Sequence, residues 1–373
     1  MLQILFYIYL ISTFVQIVFY ILVIWVWKEI FFSKKETATT FQPPVSIIIC
    51  GKNEERNIIK YLKKILELKY SVFEVIFVND NSTDNSIEVL KQLANEHNNL
   101  KVINIDKNHE FSNKKGKKFA LTLGIEKSKY DWILLTDADC FPNSDQWITN
   151  MVKPLEDQNI KIILGYSPYL YNGSFLSKLI NYETANTILT YITFCKFGIT
   201  YMGVGRNLLY EKNLFINNKG FEKNINIVSG DDDLLIKEIA TNNNTAYVLN
   251  PNSWVYSEPK KEFIDYLNQK KRHLSVANNY KAKIKLYLGI IGISHIWHNL
   301  IFIILLILKF STMFVLYIYI SRLLFILLGY GMFFNRFHNI KIFLSLPLLD
   351  ISFSLMNTII SPSIFFRNLF EWK

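Results

Sequence analysis

Apolar residues gather at the two ends of this chain, and that distribution limits the fold before any motif is considered. Leu2 to Trp27 carries no charge, and Gln3 and Gln16 are its only strongly polar residues. A bilayer crossing takes about 20 apolar residues in a helix, so this segment is long enough to span. A cleaved signal peptide is the rival reading. No basic residue precedes the run and no small-residue cleavage site follows around Trp25–Phe32, which favours an uncleaved anchor over residues 1–32. Lys28, Lys34 and Lys35 come after it, and the positive-inside rule then puts the next segment in the cytoplasm.

At the other end lie three apolar blocks, Leu286–Leu308, Phe310–Phe333 and Ile342–Phe366, each near spanning length and the last crossing only in part. Lys309 barely separates the first two, which predicts a tight hairpin. Arg336, His338 and Lys341 fall between the second and third, on the side the charge rule requires. Arg322 lies inside one block, and His295 and His298 inside another. Polar groups there are costly, and either a lipid or glycan path or hydrogen bonding between helices would account for them. Before these blocks, residues 259–285 carry Lys and Arg interleaved with Phe263, Tyr266 and Tyr280, the pattern of helices resting on anionic headgroups. The expected protein is therefore a multi-pass plasma (inner) membrane protein: an anchor, a cytoplasmic domain over 43–258, interfacial helices, and a C-terminal membrane region over 286–373. Net charge is +10, but it collects beside the apolar blocks and not on a recognisable reading element, so no nucleic-acid partner is expected. Three separated cysteines make neither a zinc pattern nor a disulfide framework.

The charged middle alternates strand, polar loop and helix, the pattern of an α/β sheet with parallel strands. Val45–Cys50 is a buried strand, followed by a helix from Asn53–Asn57 to about Leu68. Phe73–Val78 is a second strand, ending at NDNSTDNS, where Asp80, Ser82 and Asp84 partly cap and turn into the helix Ser86–His97. Val102–Ile105 is a third. The basic loop NKKGKKFALTLGI leads into a helix from about Lys117, with Lys114, Lys115 and Lys118 taken as a solvated or membrane-facing basic face. The fourth strand starts at Trp132 and delivers Asp137 and Asp139. Two carboxylates at spacing two are hard oxygen ligands suited to Mg²⁺ or Mn²⁺ carrying a diphosphate, although D-x-D also arises as a turn pair.

Further on, a helix and a strand at Ile160–Gly165 precede the aromatic segments Tyr166–Tyr171 and Phe175–Thr193, which border an acceptor groove, pack in a core or touch membrane. Gly203 and Gly205 let backbone approach a bound group closely, and Arg206 beside them suits a phosphate or an ion pair. Asp231, Asp232 and Asp233 stand ahead of an apolar helix, Leu234–Ala240. They serve the helix dipole, with Asp233 the expected cap, and crowded carboxylates raise one another's pKa, which suits a general base.

VSIIICGKNEE, VNDNSTDNS, GKKFALTLGI and TDADC, in this order and spacing, resemble the nucleotide-sugar half of the inverting family-two glycosyltransferases, the group of cellulose and hyaluronan synthases and N-acetylglucosaminyltransferases. The likeness covers about Pro44 to Asn278 and implies the GT-A fold, a Rossmann-like nucleotide-sugar domain with a mixed sheet. It implies that Glu54 and Asp80 hold base and ribose and that Lys117 lies near the nucleotide. Asp137 would touch ribose or donor sugar, and Asp139 would ligate the metal. Gly203–Asn207 resembles the turn beside the donor diphosphate. Aligning on Gly230 makes Asp232 the base, and a slip of one residue makes it Asp231. Gln269-Lys270-Lys271-Arg272-His273 is similar to Q-x-x-R-W, with Gln269 and Arg272 in the diphosphate and loop-anchoring places. His273 replaces the tryptophan that contacts the acceptor in polymerising members. The resemblance thus implies a membrane glycosyltransferase using a nucleotide-sugar donor, UDP-linked first, and a lipid-linked or glycan acceptor. Single transfer is preferred over a processive synthase because of His273, and the remaining alternative is a non-catalytic scaffold with a degenerate domain.

Overall fold

The computed structural model describes residues 1–32, 41–105, 116–225, 227, 229–336 and 340–362. Lys34, Lys35, Lys114, Lys115, His338 and the end of the last apolar block at Phe366 lie outside the described residues. The chain separates into two units.

The first unit, Thr37–Leu170 with Phe197–Glu258, is built on a seven-stranded sheet. Its strands in chain order are β1 (Val45–Gly51), β2 (Phe73–Asp80), β3 (Leu100–Ile105), β4 (Trp132–Asp137), then β6 (Ile162–Gly165), β7 (Leu208–Glu211) and β8 (Thr245–Val248). β5 (Cys140–Pro142) and β9 (Val255–Ser257) make a separate pair. The sheet order is β3-β2-β1-β4-β7-β6-β8. β1, β2, β3 and β4 run parallel, β7 is antiparallel to both β4 and β6, and β8 is parallel to β6. The mixed GT-A sheet expected from the sequence is therefore present. β1 is buried along its whole length because it is an interior strand of the parallel half, and such strands are apolar without alternation. Its register sets Cys50 beside Asp137 and Gly51 beside Asn79, so polar chain ends gather at the carboxyl edge of the sheet. The helix expected after β1 is broken into Glu55–Asn57, a π turn Ile58–Leu62, and Lys63–Leu66.

Asn207 ties this unit together from a fully buried position. Its side chain donates to the carbonyls of Tyr166 and Ser253, both at 2.8 Å, and accepts from Trp147 Nε1 at 2.9 Å. Gly165 makes room for it: a Cβ there would lie 2.4 Å from the amide.

The second unit, Met1–Glu36, Tyr171–Lys196 and Pro259–Asn368, is helical among its described residues. Three of its helices are long and apolar enough to cross a membrane: Leu2–Ile30, Ala282–Ile307 and Thr312–Phe334. Lys309 and Ser311 take left-handed backbone (φ 51° and 43°) to close the hairpin between the last two. Leu346–Ile360, at 15 residues, is shorter than a crossing. The helix Phe175–Lys196 falls in this unit, whereas the sequence reading placed it within 43–258.

The polar residues of the apolar blocks meet one another. Arg322 and Asp350 are both fully buried and paired in two contacts, Nη1 to Oδ2 at 2.7 Å and Nη2 to Oδ1 at 3.2 Å. Asp350 also meets His295 Nε2 at 2.9 Å, and accepts from Tyr182 Oη at 2.9 Å and Asn299 Nδ2 at 3.3 Å. Gln16 accepts from Arg322 and donates to Ser294, while Thr13 meets His298 Nδ1 at 2.8 Å. Five helices thus share one hydrogen-bonded cluster. Breaking one partner of a buried pair leaves a bare charge. Asp350→Ala is expected to destabilise the detergent-purified protein by about 3–5 kcal/mol, read as a fall in melting temperature. The double change Asp350→Leu with Arg322→Met removes both charges and recovers part of that loss.

Candidate active site

The carboxyl ends of β1 and β2 are stitched by short polar contacts. Asn53, in left-handed backbone (φ 58°), donates its amide to Ser82 Oγ and accepts the Thr83 amide at 2.7 Å. Asp84 accepts from the Glu55 and Ser86 amides and from the Ser86 hydroxyl. Burial works against the Asp84 charge, but these donors outweigh it and hold its carboxyl below the usual range. The NDNSTDNS cluster therefore spends Ser82 and Asp84 locally. Asp80, at the end of β2, is 6% exposed, and Glu54 takes a bond from Asn57 Nδ2 at 2.5 Å.

β4 ends at Asp137, and Asp139 and Cys140 follow. Ligand atoms of these three side chains lie within 4.8 Å of one another. The thiol donates to Asp139 Oδ1 at 3.2 Å, and burial pushes it well above the usual thiol range, so it stays protonated. The donor set available to a cation is thus the two half-buried carboxylates, hard oxygens that fit Mg²⁺ or Mn²⁺. Cys140 is too soft for either.

Lys117 joins this group to the second acidic centre. Its ammonium lies 2.9 Å from Asp137 Oδ1 and 2.9 Å from Asp231 Oδ2. Burial of Asp231 favours the neutral acid, but the Lys117 charge prevails and holds it below the ordinary value. Asp232 goes the other way. Burial, with the Asp231 charge adding to it, raises its carboxyl to about 6. Two amides grip it: Gly205 donates to Oδ2 at 2.7 Å, and Asp233 donates to Oδ1 at 2.8 Å as the helix Asp233–Ile239 begins. Asp232, not Asp233, is the cap. The Gly205 backbone lies close to this side chain: a Cβ there would sit 3.2 Å from Asp232 Oδ2. Gly230 supplies the left-handed turn (φ 80°) just ahead.

Lys118 departs from the sequence reading. Its side chain is buried, and its ammonium donates to the carbonyls of Asn224, Ile227 and Ser229. Arg206 stacks on the Tyr169 ring at 4.2 Å and donates Nη2 to the Ser167 carbonyl. Its Nη1 is buried with no hydrogen-bond partner among the described residues, and the guanidinium feels the charges of Asp139 and Asp137. The sheet unit therefore brings together Asp137, Asp139, Lys117, Arg206, Asp231 and Asp232. Glu54 and Asp80 stand at the ends of the neighbouring strands. Gln269 and Arg272 lie on the Phe263–Val276 helix of the helical unit, where Lys270 pairs with Glu183 and Tyr266 donates to the same carboxylate. The roles of Lys118, Asn207 and Cys140 were not found from sequence. A polar Asn207 beside the apolar Leu208 and Leu209 was the only signal for any of them.

Residues 46–218 match the sequence profile of Glycosyl transferase family 2. The chain carries a family 2 glycosyltransferase domain. A poly-beta-1,6-N-acetyl-D-glucosamine synthase of Staphylococcus aureus (strain COL) is 27% identical over 144 residues, 39% of this chain and 33% of the relative. The Staphylococcus epidermidis synthase is 25% identical over a stretch of the same length. The chain thus spans about a third of the length of these curated relatives. A mannosyltransferase from Pyrobaculum calidifontis, solved with GDP-Man and Mn²⁺, superposes with a TM-score of 0.63 over 97% of this chain and 98% of that chain, at 17% identity. At that identity the likeness shows the fold.

Lys117→Met leaves two carboxylates without their cation. Both are partly solvated, so the expected cost is about 2 kcal/mol, below the figure for a fully buried pair. Asp231, lowered in the folded protein, contributes stability above the ordinary aspartate range and loses it as pH falls through its folded value. The gap in melting temperature between wild type and Lys117→Met should therefore hold from pH 7.5 down to the ordinary aspartate value of about 3.9 and shrink as the buffer is acidified below it.

Proposed function

We propose that this glycosyltransferase builds a polysaccharide at a membrane, moving a sugar from a nucleotide donor to a glycan or lipid-linked hydroxyl with inversion. The observation that carries the reading is Asp232: a half-buried carboxylate raised to about 6, beside a Lys117 that links Asp231 to Asp137. Raised carboxyls of this kind suit proton abstraction near neutral pH. Asp232 takes the proton of the acceptor hydroxyl. The freed oxygen bonds to the anomeric carbon from the face opposite the diphosphate, and the departing bond's electrons go to the diphosphate oxygen. Asp231, held ionised by Lys117, keeps the base raised and is the alternative base if Asp232 serves only as cap.

Glu54 and Asp80 receive the base and ribose, and Asp137 the ribose or donor sugar. Lys117 lies near the nucleotide. Asp139 holds Mg²⁺ or Mn²⁺, which when bound would offset charge on the diphosphate. The unpartnered Nη1 of Arg206 supports a diphosphate contact. Gln269 and Arg272 take the diphosphate and loop-anchoring places that the resemblance implies.

The named synthases support an N-acetylglucosamine donor and a polymeric product, and the UDP link is the one the family resemblance implies. The mannosyltransferase likeness keeps a GDP-linked donor as the second reading. His273 still favours short products, and gel sizing of the product separates single addition from polymerisation. The three apolar helices support membrane residence, and the basic residues after the first of them support a cytoplasmic place for residues 43–258.

The test is nucleotide release by detergent-purified protein with UDP- and GDP-sugars, Mn²⁺ or Mg²⁺ and a lipid extract. Metal-dependent release should vanish in Asp139→Ala. In Asp232→Asn, kcat should fall by about 10²–10⁴-fold while UDP binding persists. Because the ionised carboxylate is the active form, kcat/KM should rise with pH through about 6 and flatten between about 7 and 8. Full activity in Asp232→Asn moves the base to Asp231. UDP and Mn²⁺ that neither bind nor turn over favour the scaffold.

A further inference from the structure

A lysine ammonium has three protons, and in this fold Lys118 gives all of them to one short stretch of backbone. It donates to Asn224 O at 2.8 Å, Ile227 O at 2.7 Å and Ser229 O at 3.0 Å. Asn224 ends the short 3-10 turn Glu222–Asn224, and Ile227 and Ser229 lie outside the strands and helices, where backbone groups must find partners elsewhere. Ser229 is followed by Gly230, Asp231 and Asp232. Gly230 O in turn accepts from Leu234 at the start of the Asp233–Ile239 helix. Lys118 and Lys117 occupy the first turn of the Lys117–Glu126 helix, which packs on the sheet through Gly124 against Ile48 and Val78. Two adjacent lysines on one rigid helix therefore hold the same acidic segment, one by its carboxylate and the other by its backbone.

We propose that Lys118 is a positioning residue, whose ammonium clamps the backbone at Asn224, Ile227 and Ser229 and thereby fixes Asp231 and Asp232 for proton abstraction. The proposal rests on Asp232 acting as the base. A neutral amine donates only two hydrogen bonds, so the clamp loses one carbonyl when Lys118 deprotonates. The charges that act on it are Asp231 and Asp232, which favour the ammonium. Burial opposes them and is the larger effect, bringing Lys118 down to about 8, within reach of the assay.

The test uses the full chain in detergent. In wild type, kcat should fall above about pH 8, and backbone amides 230–236 should exchange with deuterium faster across that range than those of β1 and β2. Lys118→Met should lower kcat at least tenfold at pH 7 with donor KM within twofold. It should also speed exchange at 230–236 alone and abolish the alkaline limb, since methionine does not titrate. Lys118→Arg, which keeps charge and donors, should keep more kcat than Lys118→Met and move the limb above pH 9. Wild-type kcat in Lys118→Met, an alkaline limb that survives there, or unchanged exchange at 230–236 in both wild-type titration and variant would overturn the proposal. The wild-type exchange measurement needs no variant to fold. If Asp232→Asn stays fully active while Lys118→Met still loosens 230–236, the base assignment fails and the clamp does not.

Discussion

The site depends on the ammonium of Lys117. Carboxylates arrive from the end of β4 and from the Gly230 turn, segments far apart in sequence, and like charges would push the two apart. One cation within 2.9 Å of both sides holds Asp137 against Asp231. That contact also divides the labour between neighbouring acids. Asp231 touches the lysine and stays ionised, whereas Asp232 feels burial and its neighbour's charge without that direct contact. Two adjacent residues of one type are thereby driven to opposite sides of their ordinary range, the usual sign of acids with separate tasks.

Asp232 carries a second constraint. Each of its oxygens accepts a backbone amide, one from Gly205 and one from Asp233. Such bonds favour the anion, yet burial outweighs them. They also fix the plane of the carboxylate, so its remaining lone pairs point in set directions. The cap of a short helix and a candidate base are one group here, because the geometry that satisfies a helix start also locks a rotamer. The glycine at 205 is required for the same reason: any Cβ would crowd the oxygen that its own amide must reach.

Much of the sheet was legible because interior parallel strands are continuous apolar runs ending in polar turns. β1, β2 and β4 match the expected strands within two residues or so for this reason. The acidic clusters were legible as positions, since strand ends and helix starts are where such residues collect. Partners were not. In NKKGKK nothing distinguishes Lys118 from a solvated lysine, because its three acceptors are main-chain carbonyls over 100 residues away. The glycines of GVG announced a close approach but not its object. Phe175–Thr193 was open to a groove, a core or a membrane, and the periodicity of a helix does not say which neighbour covers its apolar face. Asp350 was hidden in an apolar block until Arg322 was seen to face it.

That last pair explains why a helix too short to cross is held among longer ones. At about 1.5 Å per residue, Leu346–Ile360 is near 22 Å long, against a hydrocarbon core of about 30 Å. Between apolar helices, burial gives no preference for one register over another, since lipid and leucine are alike in polarity. A carboxylate that accepts from Tyr182, Asn299 and Arg322 and meets His295 gives that preference, because any slide of one turn leaves Asp350 unpaired. The ion pair contributes little net stability against apolar side chains of the same size. Its role is selection: it makes one packing of these helices much better than the rest, at the cost of a protein that fails if either charge is removed alone.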